Sequence, residues 1–179
     1  MNTVIINAAS KHDGNGNYIA EKLSQKYEGS AVIELNALAF CHDYINEFRD
    51  SDVFKPEMVE EGLRDAMTAV HDSDLIIFIA PNYFSFMSGL AKLFLDRFYV
   101  FLNKSGRPRF ESPKKFFFIF TQGSANRSHG QSTLDWVKGF CNMLGFKYYG
   151  IVVPSCRGAD TEGARLKMEE ISMSLSMFV

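Results

Sequence analysis

Between the strand-like run Thr3-Val-Ile-Ile-Asn7 and a helical pattern opening at Tyr18 lies the segment Ala8-Ala-Ser-Lys-His-Asp-Gly-Asn-Gly-Asn17. Its small residues, two glycines and several donors let backbone N–H groups converge on an anion, and the helix that follows adds the positive end of its dipole. The chemistry such a loop offers is phosphate binding. It lacks the Gly-Lys-Ser/Thr ending of a Walker loop and is not the G-x-G-x-x-G dinucleotide fingerprint. An ordinary turn with Asn15 or Asn17 as helix N-cap uses the same residues, so the loop alone leaves the two readings level.

Two further segments invite a ligand. Pro81-Asn-Tyr-Phe-Ser-Phe-Met-Ser-Gly89 sets three aromatics and a methionine between a strand and a helix. These side chains either close the core beneath the helix or form a flat apolar wall for an aromatic ring system. Thr121-Gln-Gly-Ser-Ala-Asn126 is small and polar, which suits close backbone approach. Elsewhere, Asp96 and Arg97 are adjacent on a helix, so their side chains diverge and a structural contact to a loop is expected. His42, His71 and His129 show no metal-ligand spacing, and surface or capping roles are expected of them. Neither a Ser-His-Asp elbow nor a Cys-His nucleophile motif is present; Ser128-His129 is the nearest approach to one. No catalytic side chain and no metal ligand set is therefore assigned.

Short apolar runs must position these segments: Val4 to Asn7, Ala31 to Leu35, Leu75 to Ala80, Phe116 to Thr121 and Tyr148 to Val153. Three are nearly continuous rather than alternating, as strands buried on both faces are. Helical spacing fills the intervals at Tyr18 to Tyr27, Glu57 to His71, Gly89 to Leu102, Leu134 to Leu144 and Glu162 to Met177. In Glu57 to His71, Met58, Leu63, Ala66, Met67 and Val70 share one face, with Glu60, Glu61, Arg64 and Asp65 left in water. Alternating strands and helices predict an α/β, doubly wound parallel sheet with helices on both faces. Five strands suit the flavodoxin-like order 2-1-3-4-5, although periodicity does not decide strand order. Ligands then bind outside the carboxyl ends of the strands, which is where all three segments fall.

A chain of 179 residues suits one domain, 1–179, with a core that needs no disulfide or metal. Its net charge of -2 provides no electrostatic footprint for nucleic acid or an anionic membrane. Three widely spaced cysteines, Cys41, Cys141 and Cys156, point to a reducing compartment rather than a disulfide framework. Without a signal-peptide pattern or a spanning apolar run, a cytoplasmic location is expected. The 17 phenylalanines are read as core, and the basic turn Lys104-Ser-Gly-Arg-Pro-Arg109 as a solvated connection.

The chain resembles the NAD(P)H-dependent FMN reductase and iron-sulfur flavoprotein branch of the flavodoxin-like superfamily. The stretches that carry the resemblance are Ile6 to Asn15, Asp74-Leu-Ile-Ile-Phe-Ile-Ala-Pro-Asn-Tyr83 with Met87-Ser-Gly-Leu-Ala-Lys-Leu-Phe-Leu-Asp-Arg97, and Phe118-Ile-Phe-Thr-Gln-Gly123. Pro81 to Arg97 is the most distinctive. The resemblance implies FMN as cofactor, NAD(P)H as electron donor and a small acceptor: a quinone, flavin, azo or nitro compound. It places the FMN phosphate at Ser10, Lys11, His12, Asn15, Gly16 and Asn17. It places the ribityl chain and ring along Pro81, Asn82, Tyr83, Phe84 and Ser85 and along Thr121, Gln122 and Gly123. A homodimer or homotetramer is implied likewise. The alternatives are a flavodoxin-like electron carrier, or a binding domain that has lost tight FMN affinity.

Two departures qualify the resemblance. Ala9 and the ending Gly14-Asn15-Gly16 stand where the family commonly carries a serine and a Gly-Asn-Thr ending, so two hydroxyl donors to phosphate are absent. The cysteine cluster of the iron-sulfur members falls here on Cys41, Tyr44, Glu47 and Asp52. One thiolate does not hold a cluster that needs four, so no iron-sulfur centre is expected, and Cys41 is read as a partly buried remnant.

Overall fold

The structure is a computed structural model that describes residues 1–9, 13–41, 51–158 and 160–179. Five strands form a parallel sheet: β1 (Thr3–Asn7), β2 (Ala31–Glu34), β3 (Leu75–Tyr83), β5 (Lys115–Thr121) and β6 (Lys147–Val153), in the order β2-β1-β3-β5-β6. A two-residue strand, β4 (Phe86–Met87), pairs antiparallel with the end of β3. With β4 set aside, this is the expected order 2-1-3-4-5.

The two central strands explain their continuous apolar runs. Leu75 to Ala80 of β3 and Phe116 to Phe120 of β5 are all fully buried because both sheet faces are covered. Ile5, Ile77, Ile79, Phe117 and Ile119 pack on α1 (Asn15–Lys26) and α5 (Glu162–Phe178). Val4, Ile6, Phe78, Phe116 and Phe118 pack on the other side with α2 (Arg64–Asp72), α3 (Gly89–Arg97) and α4 (Gln131–Met143). Phenylalanines tile that second layer, the Phe78 ring lying 6.2 Å from Phe94, 5.9 Å from Phe116 and 6.1 Å from Phe118.

Several local expectations are corrected. The helix expected over Glu57 to His71 is two single turns of tighter helix, Pro56–Met58 and Glu61–Leu63, before α2 begins at Arg64. Gly62 presses on the preceding connection so closely that an added Cβ would stand 1.9 Å from the Ala39 carbonyl oxygen. Glu60 does not remain in water: it turns inward to Arg97, with 2.8 Å between Arg97 Nη2 and Glu60 Oε1. Arg97 also donates to the Cys41 carbonyl, which is the loop contact expected of it. Cys41 itself is exposed, not partly buried.

Helix α3 ends at Arg97, and Phe98–Phe101 tighten into a further turn. Arg109 is buried rather than solvated; its Nε donates to the Ser51 carbonyl at 2.8 Å, and desolvation pulls its pKa down. His71 is neither a free surface residue nor a cap, since its ring stacks on Phe54 at 4.9 Å. His42, Tyr44 and Glu47 lie outside the described residues.

Candidate functional site

Strand β1 sits between β2 and β3, and the chain leaves β1 and β3 toward opposite faces of the sheet, which opens a crevice at their carboxyl ends. The first wall starts from Asn7, fully buried at the end of β1. Its Nδ2 donates to Glu34 Oε2 at 2.8 Å, and its Oδ1 accepts from the Ala9 N–H at 3.1 Å, a side-chain turn that bends the chain out of the sheet.

Helix α1 then begins at Asn15, three residues earlier than its apolar pattern, with Gly14 as N-cap and no side-chain cap. Neither Asn15 nor Asn17 is therefore the N-cap. The first turn closes with Tyr18 N–H on the Gly14 carbonyl at 3.1 Å, so the amides of Asn15, Gly16 and Asn17 precede the first intrahelical donor and have no acceptor within the helix. No acidic side chain occupies that turn. Gly16 allows a close approach to the loop, since an added Cβ would lie 2.7 Å from Ala9 Cβ and 3.0 Å from Asn7 Oδ1.

The Asn15 side chain is a brace. It accepts from Ala164 N–H at 2.8 Å and donates to the Asp160 carbonyl at 2.6 Å, tying α1 to the start of α5. Ser10, Lys11 and His12 lie outside the described residues.

The second wall is a hairpin rather than a loop. Strand β3 continues to Tyr83, the chain reverses at Phe84 and Ser85, and β4 pairs Met87 with Asn82 and Phe86 with Tyr83. Both turn residues have positive φ, 53° and 67°, the conformation that tight hairpins require. Thr133 Oγ1 donates to the Ser85 carbonyl at 3.1 Å, and Phe86 meets Trp136 edge-on at 5.6 Å, so the turn is held from α4. The aromatic segment divides: Met87 is buried and Phe86 packs on the core, whereas Tyr83 faces the cleft.

Phe84 and Ser85 stand at the hairpin tip and, like Asn17, do not line the cleft. Phe84 is fully exposed, so its left-handed backbone is not offset by burial. Phe84→Gly is expected to raise stability by about 0.5–1 kcal/mol in urea unfolding. An unchanged or lower value would show the tip to be unstrained.

The third wall follows β5. Gln122 is buried; its Nε2 donates to the carbonyls of Ser124 at 3.1 Å and Asn126 at 2.7 Å, and its Oε1 accepts from Asn82 Nδ2 at 3.2 Å. The side chains of Asn82 and Gln122 thus hold the second and third walls together. Gln122 N–H is bonded to the Val153 carbonyl at 2.9 Å, whereas Gly123 N–H has no protein acceptor among the described residues.

A fourth wall was not anticipated. After β6, Ser155 N–H bonds the Ser124 carbonyl at 3.2 Å and Cys156 N–H bonds the Gln122 carbonyl at 2.9 Å, bringing Cys156 and Gly158 into the cleft. The available signal was position alone, since Pro154-Ser-Cys-Arg-Gly158 also follows the carboxyl end of a strand. The four walls enclose about 150 Å³, with Ala9, Gly14, Asn15 and Gly16 on one side, Pro81, Asn82 and Tyr83 on the second, and Thr121, Gln122 and Gly123 on the third.

Residues 1–161, which contain all four walls, match the family described as NADPH-dependent FMN reductase. The chain belongs to that family. A relative from Bacillus subtilis (strain 168), YwqN, named as an NAD(P)H-dependent FMN-containing oxidoreductase, is 24% identical over 161 residues, covering 86% of this chain and 84% of its own. Among solved structures, NAD(P)H:quinone oxidoreductase from Methanothermobacter marburgensis superimposes with a TM-score of 0.76 at 14% identity, covering 97% of this chain and 96% of the other. The Trp repressor binding protein from Bacillus subtilis does so with a TM-score of 0.67 at 20% identity, covering 95% of each. At these identities the structures share the flavodoxin-like fold.

In this FMN reductase the ionisable side chains among the described cleft residues are Tyr83 and Cys156. Burial pushes the Cys156 thiol up to about 11, against a smaller lowering by its hydrogen bond with the Gln122 backbone. The raised value keeps Cys156 largely as the neutral thiol at pH 8, which slows its reaction as a nucleophile there. Burial raises Cys141 further still. Iodoacetamide at pH 8 is therefore expected to label exposed Cys41 first, with Cys156 reacting appreciably only as pH approaches 11. Equal labelling of Cys41 and Cys156 at pH 8, read by peptide mass, would contradict this ordering. Among the described residues no group of three or more His, Cys, Asp or Glu could hold a metal ion, and no helix is long and apolar enough to cross a membrane.

Proposed function

We propose that the cleft holds FMN and that the protein passes electrons from NAD(P)H to a small acceptor of the quinone, flavin, azo or nitro class. The observation that carries this reading is the coincidence of the family match over residues 1–161 with all four cleft walls. The residues present suit the cofactor. Amides at the start of α1, with no carboxylate in that turn, favour a phosphate, and Gly16 keeps the cradle open. Ser10, Lys11 and His12 belong to the same cradle in this reading. Pro81 and Tyr83 provide a flat apolar flank, and Thr121, Gln122 and Gly123 provide the polar one.

When bound, FMN supplies the redox chemistry. The chain's own part is to position and to exclude. Asn82 and Gln122, bonded to each other, fix the separation of the two flanks, and Gly123 N–H, without a protein acceptor among the described residues, would donate to a polar ring edge. Self-association into a homodimer or homotetramer and a cytoplasmic location belong to the same proposal; sedimentation of the purified protein reads the first.

The test is a visible spectrum before and after NAD(P)H under anaerobic conditions, followed by turnover with a small quinone. Oxidised-flavin absorption that bleaches with NAD(P)H, and rapid turnover, are expected. A colourless protein without a signal on FMN titration would refute the cofactor assignment. Bleaching only through a partner protein would make it an electron carrier.

A further inference from the structure

We infer that Arg157 is a specificity-determining residue, whose guanidinium holds a phosphate of the nicotinamide dinucleotide at the mouth of the cleft. The inference rests on the functional reading above, which makes FMN and that dinucleotide the two ligands of the site.

Arg157 lies between two residues that line the cleft, Cys156 and Gly158. Its stem crosses Gly123, where an added Cβ would meet Arg157 Cγ at 3.4 Å. Its Nε donates to the Gly123 carbonyl at 2.9 Å. The loop that presents it is turned by two left-handed residues, Ser155 at φ 62° and Gly158 at φ 66°, and is bonded to the loop after β5 through Ser155 and Cys156. Stem, Nε and backbone are therefore set before any ligand arrives.

The two terminal nitrogens remain. They make no hydrogen bond or ion pair with the described residues. Other arginines are committed within the protein: Arg97 to Glu60, Arg109 to the Ser51 carbonyl and Arg127 to Glu170. The nearest acid in sequence, Asp160, accepts instead from the Glu162 N–H at 2.6 Å, at the start of α5. An exposed guanidinium held at Nε presents its Nη1/Nη2 edge as a planar fork, which matches two oxygens of a phosphate and loses little entropy on binding.

The phosphate belongs to the second ligand. FMN carries a single phosphate, which in that reading goes to the amides of Asn15 and Gly16 on the α1 side of the cleft. Arg157 stands on the β5 and β6 side, across Gly123. The molecule that enters next carries phosphates of its own.

The test measures the Kd of FMN by fluorescence quenching, and the Kd of NADP+ and NAD+ by calorimetry with and without FMN, for the unaltered protein, Arg157→Gln and Arg157→Lys. Arg157→Gln is expected to weaken NADP+, NAD+ or both by about ten- to one-hundred-fold, with Arg157→Lys between, and to leave the FMN Kd within about two-fold. Loss for NADP+ alone assigns the fork to its additional phosphate; loss for both assigns it to the shared pyrophosphate. The salt dependence of NADP+ binding is expected to flatten in Arg157→Gln.

Unchanged dinucleotide affinity overturns the inference. So does a weakening confined to FMN, which would give the fork to the FMN phosphate. Loss of all ligands with a lowered Tm, unrescued by lysine, shows a merely structural arginine and overturns it as well. Failure of the unaltered protein to bind FMN defeats the functional reading instead, and the titrations without FMN still decide the role of Arg157.

Discussion

Gly16→Thr is expected to weaken FMN binding at least about a hundred-fold and to lower stability by about 1–3 kcal/mol, although it adds a hydroxyl of the kind that related phosphate loops carry. The reason is the space at the start of α1. A Cβ on residue 16 would stand 2.7 Å from Ala9 Cβ and 3.0 Å from Asn7 Oδ1. Neither neighbour is the loose end of a long side chain. Ala9 Cβ is fixed to the backbone, and Asn7 Oδ1 is engaged by the Ala9 N–H while Asn7 Nδ2 holds Glu34. Relief requires the loop or the first helical turn to shift, and either shift misaligns the amides proposed to receive the phosphate. Ala9 and Gly16 are thus one packing choice rather than two separate losses. Gly16→Ala should show most of the effect, and adding Ala9→Gly should recover part of it, giving a coupling in the double-mutant cycle. FMN titration and urea unfolding of the threonine variant and of the four proteins of the cycle (unaltered, Gly16→Ala, Ala9→Gly and the double variant) decide the matter. A threonine variant that binds FMN as tightly as the unaltered chain would remove the steric account.

This contact illustrates what was legible before the structure. Glycine at 16 was read as part of an anion-binding loop and as a missing hydroxyl, whereas its close neighbours, Asn7 and Ala9, meet it only after the chain has folded back. The sheet was legible because burial on both faces of β3 and β5 leaves continuous apolar runs, Leu75 to Ala80 and Phe116 to Phe120, that no solvent-facing element carries. Boundaries were less so. Helix α1 starts at Asn15, whose side chain bonds Ala164 and Asp160, nearly the length of the chain away, and no apolar spacing registers such a bond.

The site divides in the same way. Three walls followed from the rule that ligands sit at the carboxyl ends of strands, and Pro81 to Tyr83 and Thr121 to Gly123 stand there. The fourth, Cys156 and Gly158, has neither aromatics nor a run of glycines to mark it and joins the cleft through backbone bonds to the loop after β5. Asn82 and Gln122 both line the cleft, but their side chains bond each other and brace the walls, a distinction that residue type does not carry.

Arg97→Met is expected to cost about 3–5 kcal/mol of folding stability, the range for removing one member of a buried ion pair. The Arg97 side chain is 6% exposed and that of Glu60 15%. Arg97 Nε reaches both Glu60 oxygens, at 2.9 and 3.1 Å, and Nη2 reaches the Cys41 carbonyl. Methionine fills similar volume, so the loss comes from a carboxylate and a carbonyl left without their donor in a dry site, not from a cavity. Replacing both partners, Arg97→Met with Glu60→Leu, removes the stranded charge and should recover a large part of the loss. The pair joins the end of α3 to the connection before α2, whereas the cleft hairpin meets the other end of α3, where Ser88 caps the helix independently by accepting from Ala91 N–H at 3.2 Å. The loss should therefore appear in urea unfolding, while the FMN Kd of the folded protein stays within about three-fold, since the Glu60 and Cys41 contacts of Arg97 lie away from the described cleft residues. A single variant costing less than about 1 kcal/mol would mean that water reaches the pair and screens it. A double variant no better than the single would place the stabilisation outside the Glu60 pair, in contacts such as that with the Cys41 carbonyl, which the second substitution does not relieve.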